Sequence, residues 1–360
     1  MDDLLTHSPG TLALLRNRLD EAVDLLTPPA RAGDLQAMED LAEAAYRRDD
    51  FAESAHWHRR LAQATGAPGH DLAARRLGLF RGRVPYRMER AGTAVVPFES
   101  TDPLPVITVR LNGRESAAFF LDTGGHEVYV DRALAEKAGA QVAGAVERGY
   151  AGGRRAMEGQ GRLESFAMGE LEVRDVPIRT LDFAGTVIGG HTVLGAVGSA
   201  ILHRHLTTID YPAGRLVLRD RSRTLAGGHP FWLAGTHYAL TWGTLNRAHR
   251  LLLFIDTGGT GVGLVPSPEV IARAGIKLGD DLVEGGRDGG GAVRAVPFTV
   301  EELTVNGTTG RDLPGVHFPD APDFFPEVSR RFPLGGAVSH AFFRPYALTL
   351  DFTAMRLELG

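Results

Sequence analysis

SAAFFLDTGGHEVYVDRALAEKAGA (116–140) and RLLLFIDTGGTGVGLVPSPEVIARAGI (250–276) are two versions of one segment. Each is an apolar run of strand type, then Asp-Thr-Gly-Gly, a short extended piece and a short helix. The helix signals are local. Asp131 can cap the first helix and Gly139 can end it; Ser267 can cap the second, with Pro268 at its first position and Gly275 at its end. One Asp-Thr-Gly is a common turn. Two, each behind at least four apolar residues and each leading into a capped helix, mark a duplicated unit.

The ends of the two units agree as well. TVLGAVGSAILHRHLTTIDYPAGRLVLRD (192–220) is echoed by PLGGAVSHAFFRPYALTLDFTAMRLELG (333–360). In register, Gly195 meets Gly336, Ile201-Leu202 meet Phe342-Phe343, and Asp210-Tyr211 meet Asp351-Phe352. Both finish on a hairpin whose last strand alternates, with Leu216 and Leu218 in one and Leu357 and Leu359 in the other. Residues 93–222 and 228–360 are therefore expected to form two copies of one β-unit.

Before residue 88 the pattern is helical. Ser8-Pro9 opens a stripe through Leu12, Leu15, Leu19, Val23 and Leu26 at spacings of three and four. Further helices are expected from Asp34, from Asp50 to a stop at Gly66, and from about His70 to Leu79. Residues 41–66 resemble a tetratricopeptide or Sel1-type helical hairpin over about one repeat, with Phe51 and Ser54 keeping its aromatic-x-x-small beat. Residues 1–88 are thus expected to be a helical, TPR-like domain.

Composition removes whole classes of function. With 43% hydrophobic and 23% charged residues, the chain can build a large core, and no window of eighteen apolar residues offers a membrane span. The absence of cysteine excludes disulfides, thiolate metal sites and a Cys nucleophile. A net charge of -5 argues against nucleic acid as a partner. Met1-Asp2-Asp3 is acidic and the apolar stretch behind it is broken by Arg16, Arg18 and Asp20, so a cytoplasmic location is expected.

On the two Asp-Thr-Gly loops and the Gly195 and Gly336 segments, residues 93–360 resemble the aspartic peptidases. Each half resembles retropepsin, and the duplication within one chain resembles pepsin. The resemblance implies a mainly β, bilobal acid-protease fold, here with a helical N-terminal domain. It implies that Asp122 and Asp256 face each other and act as catalytic residues, hydrolysing peptide bonds through an activated water with neither metal nor cofactor. Thr123 and Thr257 would tie the loops together, and Gly124 and Gly258 would let the carboxyls approach. Gly125 and Gly259 stand where pepsin-like enzymes often carry Ser or Thr. A missing hydroxyl leaves the charged form less stabilised, so the pair should work nearer neutral pH.

The resemblance also implies a flap. Gly149–Gly153 falls at the flap position, making Tyr150 the flap tyrosine, with Gly152 at the tip and Tyr129 placed to hydrogen-bond it. Residues 284–293 of the second unit read equally as a second lid or as a long turn. His126 could line the cleft, and Glu127 adds a charge beside it. The expected partner is a peptide or a small molecule in the inter-lobe cleft, with a further protein partner open through the helical region. Two other functions stay open: acid–base chemistry on a small molecule by the same pair, or peptide binding alone.

Overall fold

The structure, a computed structural model, describes residues 7–89, 92–150, 154–289, 291–320 and 325–360. Five helices come first: α1 (Pro9–Leu15), α2 (Leu19–Arg31), α3 (Leu35–Arg47), α4 (Phe51–Thr65) and α5 (Pro68–Gly78). The caps read from the sequence are in place. Ser8 accepts from the Thr11 amide at 3.2 Å, Asp34 from Ala37 at 3.0 Å and Asp50 from Glu53 at 3.0 Å, while Gly66 ends α4 at φ 68°. One expectation changes. The stripe from Leu12 to Leu26 is split between α1 and α2 at Asn17, which takes φ 55° and donates its side-chain amide to Phe352 O at 2.9 Å. Docking onto the far end of the chain, rather than local periodicity, sets that break.

The first lobe follows a short strand β1 (Arg87–Met88). It consists of β2 (Ala94–Pro97), β3 (Val106–Leu111), β4 (Glu115–Leu121), β5 (Val128–Asp131), α6 (Arg132–Lys137), β6 (Gln141–Gly149), β7 (Arg155–Met168), β8 (Leu171–Leu181), β9 (Val187–Ile188), β10 (His191–Val197), α7 (Ser199–Leu202), β11 (His205–Asp210) and β12 (Arg215–Asp220). The second consists of β13 (His229–Pro230), β14 (Trp232–Ala234), β15 (Tyr238–Leu245), β16 (His249–Ile255), β17 (Leu264–Pro266), α8 (Pro268–Ala274), β18 (Val283–Asp288), β19 (Gly291–Val305), β20 (Thr308–His317), α9 (Pro326–Ser329), β21 (Leu334–Val338), α10 (His340–Phe343), β22 (Ala347–Asp351) and β23 (Arg356–Leu359).

The duplication holds strand by strand. β4 is antiparallel to β3 and parallel to β10; β16 is antiparallel to β15 and parallel to β21. β5 lies antiparallel to β10 and parallel to β8, as β17 does to β21 and β20. Asp131 and Ser267 cap α6 and α8 as read. The terminal hairpins β11–β12 and β22–β23 pair with each other through β11 and β22, with β2 and β13 added at the edges. That six-stranded sheet belongs to both lobes, so a continuous hydrogen-bonded ladder fixes their relative placement. The architecture is mainly β and bilobal, with a helical N-terminal layer.

The helical layer has a small core of its own around Ala13, Leu14, Leu26, Leu41, Trp57 and Leu61. Its other face is absorbed by the lobes. Tyr46, Phe51, Leu77, Phe80 and Tyr86 join the large core that runs through both lobes, and Leu15 packs with Tyr238, Phe254 and Phe332 of lobe 2. Burying each large side chain of this kind contributes about 1.5–3 kcal/mol. Their sum is comparable with the roughly 5–15 kcal/mol net stability of a whole domain. A chain beginning at Thr93 should therefore lose its near-ultraviolet circular dichroism and bind a hydrophobic dye. A cooperative melt of the shortened chain within a few degrees of the full chain would contradict this.

Candidate active site

β4 and β16 each deliver an aspartate at their C-terminal ends, and the same backbone contacts hold both. The Asp122 amide donates to Val197 O and the Asp256 amide to Val338 O, each at 3.0 Å. Gly124 N–H donates to Asp122 Oδ1 and Gly258 N–H to Asp256 Oδ1, each at 2.9 Å. The threonines cross between lobes. The Thr123 amide donates to Thr257 Oγ1 and the Thr257 amide to Thr123 Oγ1, both at 3.0 Å. Each hydroxyl then donates to the opposite lobe, Thr123 to Ile255 O at 2.8 Å and Thr257 to Leu121 O at 3.4 Å. Thr123 and Thr257 are almost wholly buried, so these bonds have no water to compete with them.

The two loops are thereby pressed together. A Cβ added to Gly124 would collide with the Asp256 carboxyl, and one added to Gly258 with the Asp122 carboxyl. No other residue type lets each loop pass so close to the opposing acid. A Cβ on Gly124 would lie 2.5 Å from Asp256 Oδ1 and 3.0 Å from Asp122 Oδ1, so the two carboxyls flank one small space. Burial pushes the Asp122 carboxyl well up, the neighbouring Asp256 charge adds to this, and the Gly124 and Gly125 amides oppose it. Burial also raises Asp256, against the Gly258 amide and the neighbouring Asp122 carboxyl. Two carboxyls this close do not both ionise cheaply, so the pair is expected to hold one proton and to titrate as a unit.

Gly125 and Gly259 differ in surroundings. A Cβ at Gly125 would lie 3.0 Å from the Tyr129 ring and 3.2 Å from Asp122 Oδ2, so Tyr129 packs against the first loop where a longer side chain would stand. Beside Gly259 the space is taken by Ser339, whose hydroxyl accepts from the Gly259 amide at 3.0 Å and donates to Asp256 O.

β6 and β7 form the expected hairpin, with Gly149 opposite Arg155 and the Tyr150 amide donating to Arg154 O at 2.9 Å. Gly152 lies outside the described residues. The partner expected for Tyr150 is corrected. Its hydroxyl donates to Glu158 Oε2 at 3.3 Å, not to Tyr129, because a buried carboxylate on the same hairpin is the stronger acceptor. The second unit also forms a hairpin here, β18 against β19, with Asp288 opposite Gly291. The two tips meet: a Cβ at Gly289 would run into the Tyr150 ring. The glycine-rich stretch 284–293 is thus the second-lobe counterpart of the Tyr150 hairpin.

His126 is turned into a buried joint. Its ring lies between Tyr46 of α3 and His237 of lobe 2, with centroids 5.2 and 5.6 Å away, and Nδ1 is 3.1 Å from Arg179 Nη2. Burial drives its pKa well below the ordinary histidine value, so the ring is neutral. Glu127 is fully buried as well, and Arg76 and Arg179 hold it ionised despite that burial. Sequence reasoning missed Arg76, Glu158 and Arg179. The only signal they left was a charged residue inside a strand or helix that buries its neighbours.

Residues 107–200 match the family model described as aspartyl protease. That segment lies in the first lobe, and the second lobe repeats its strand pairing. Two solved structures align with the chain. A retropepsin-like aspartic protease from Rickettsia conorii aligns at 17% identity over 37% of this chain and 94% of its own, with a TM-score of 0.26. Basic 7S globulin from soybean aligns at 10% identity over 75% of this chain and 96% of its own, with a TM-score of 0.44. No curated protein sequence matches the chain.

The raised carboxyls make stability depend on pH in a definite direction. Both acids hold protons more tightly folded than unfolded, so their contribution is complete below the unfolded value of about 4 and is lost as pH rises through the folded values. Asp122→Asn removes one of the titrating groups. It should raise the melting temperature by a few degrees at about pH 8 and change it little at about pH 4. Equal shifts at both pH values would show that the pair carries no proton linkage.

Proposed function

We propose that the chain is an aspartic endopeptidase. The observation that carries this reading is the pair of facing, half-buried carboxyls, held by the same contacts from two copies of one loop. One carboxyl, ionised, takes a proton from a water lying between the two. The other, protonated, donates to the carbonyl oxygen of the peptide bond. The water oxygen adds to the carbonyl carbon to give a diol; as the C–N bond breaks, the proton taken from water passes to the leaving nitrogen and a diol hydroxyl returns its proton to the acid that donated one. Each acid alternates between the two roles, so the pair ends as it began. The hairpin tips at Tyr150 and Gly289 would close over an extended peptide laid between the lobes.

Asp122→Asn and Asp256→Asn should each lower peptide hydrolysis by at least about a thousandfold, since an amide neither accepts the proton nor shares it. The double variant should be no slower than either single one, because the two act as a unit. The rate should follow a bell-shaped pH profile with two apparent values belonging to the pair. Hydrolysis of a peptide library, read by mass spectrometry for the parent and all three variants, is the test. Full activity in both single variants would remove the pair from the chemistry and leave peptide binding as the function.

A further inference from the structure

Five charged side chains and two tyrosines form a connected set between the helical layer and the Tyr150 hairpin. Its centre is Glu127, five residues after Asp122 on the same loop. Tyr46, near the end of α3, donates its hydroxyl to Glu127 Oε1 at 2.5 Å, and Arg76 of α5 sits on the same oxygen. The other oxygen, Oε2, lies 3.2 Å from Arg179 Nε. Arg179 then reaches in the opposite direction to Glu158 on β7. Glu158 accepts from the Tyr150 hydroxyl at 3.3 Å and has Arg148 of β6 at 3.5 Å. The side chains of Glu127, Arg76, Glu158 and Arg179 are all at least nine-tenths buried.

Arg179 can bridge because of where its strand lies. On β8 it pairs with Tyr129 of β5 on one side and with Gln160 of β7 on the other. Its backbone thus joins the strand leaving the catalytic loop to the strand leading from the hairpin tip, and its side chain joins a carboxylate from each. A buried carboxylate without a cation is expensive, so Glu158 is held where Arg179 stands. Glu158 in turn fixes the hydroxyl of Tyr150. The helical layer also touches the hairpin itself: a Cβ at Gly144 of β6 would lie 3.0 Å from Leu72 of α5.

We propose that Arg179 is a positioning residue that holds the Tyr150 hairpin where its tip meets Gly289 of the second lobe, and that the helical layer sets its position through Tyr46, Arg76 and Glu127. The layer is then a working part of the site, not a removable segment. What the hairpin does once placed rests on the peptidase reading above. Its placement is independent of turnover and is tested separately.

The test is amide hydrogen exchange, read by mass spectrometry on the full chain in an Asp122→Asn background, where no hydrolysis is needed. Tyr46→Phe removes one hydroxyl that bonds Glu127 and Tyr86, outside the hairpin, and Arg179→Lys keeps the charge but loses the planar fork. Both should speed exchange in residues 141–150 and 155–160 by about threefold to tenfold, with the β22–β23 hairpin unchanged. In the chain with both aspartates, Tyr46→Phe should raise KM for an extended peptide several-fold and change kcat by less than about twofold. Hairpin exchange unchanged in both variants would overturn the proposal. A response to Arg179→Lys alone would overturn the part played by the helical layer. An equal rise in β22–β23 would reduce the network to general stability and also overturn it. If Asp122→Asn leaves peptide hydrolysis intact, the peptidase reading fails while the exchange result still decides the coupling.

Discussion

Two threonines exchange hydrogen bonds across the lobe boundary, and the rest of the site depends on that exchange. Each amide donates to the other hydroxyl, and each hydroxyl passes its own proton to a carbonyl of the opposite lobe. Losing one hydroxyl would orphan both an amide and a carbonyl in a region closed to water, at about 1–3 kcal/mol for each buried group. The arrangement therefore tolerates little slack. Once it is set, the following glycines bring each loop against the other lobe's acid, and the carboxyls meet despite the electrostatic cost of bringing two acids together.

That cost is met by architecture outside the loops. The six-stranded sheet formed by both terminal hairpins prevents the lobes from drifting apart, because β11 and β22 share a continuous ladder. The amides of Gly124 and Gly258 stabilise whichever carboxyl is ionised. The symmetry is close at the backbone and looser at the side chains. Tyr129 crowds Gly125 in one lobe, and Ser339 fills the equivalent space beside Gly259 in the other. Two acids in unlike surroundings are suited to unlike roles, one as base and one as acid.

The helical layer adds a second level of constraint. Its apolar faces complete the cores of both lobes, and its polar residues enter the charge network beside the Asp122 loop. Glu127 is tolerated inside only because cations and a hydroxyl from separate parts of the chain surround it. The layer that packs onto both lobes is thus also the source of groups that make the buried charge of Glu127 bearable.

Much of this was written in the sequence, because its signals are local. The alternation of the strands, the caps at Asp131 and Ser267, and the Asp-Thr-Gly-Gly that ends each apolar run lie within a few residues of one another. Their duplication revealed both the bilobal fold and the identity of the two acids. The partner of Tyr150, the buried course of His126 and the break at Asn17 were not legible, and neither was the meeting of the two hairpin tips. Tyr150 finds Glu158 only eight residues on, although that carboxylate is itself paired with Arg179 of another strand; the other three are decided by groups far away along the chain. Tyr46 and Glu127 are 81 residues apart, Arg76 and Glu127 51, and Asn17 and Phe352 335. Ion pairs and caps at such separations leave no period and no spacing to read. They exist only once the helices and both lobes have packed, and only the tertiary structure decided them.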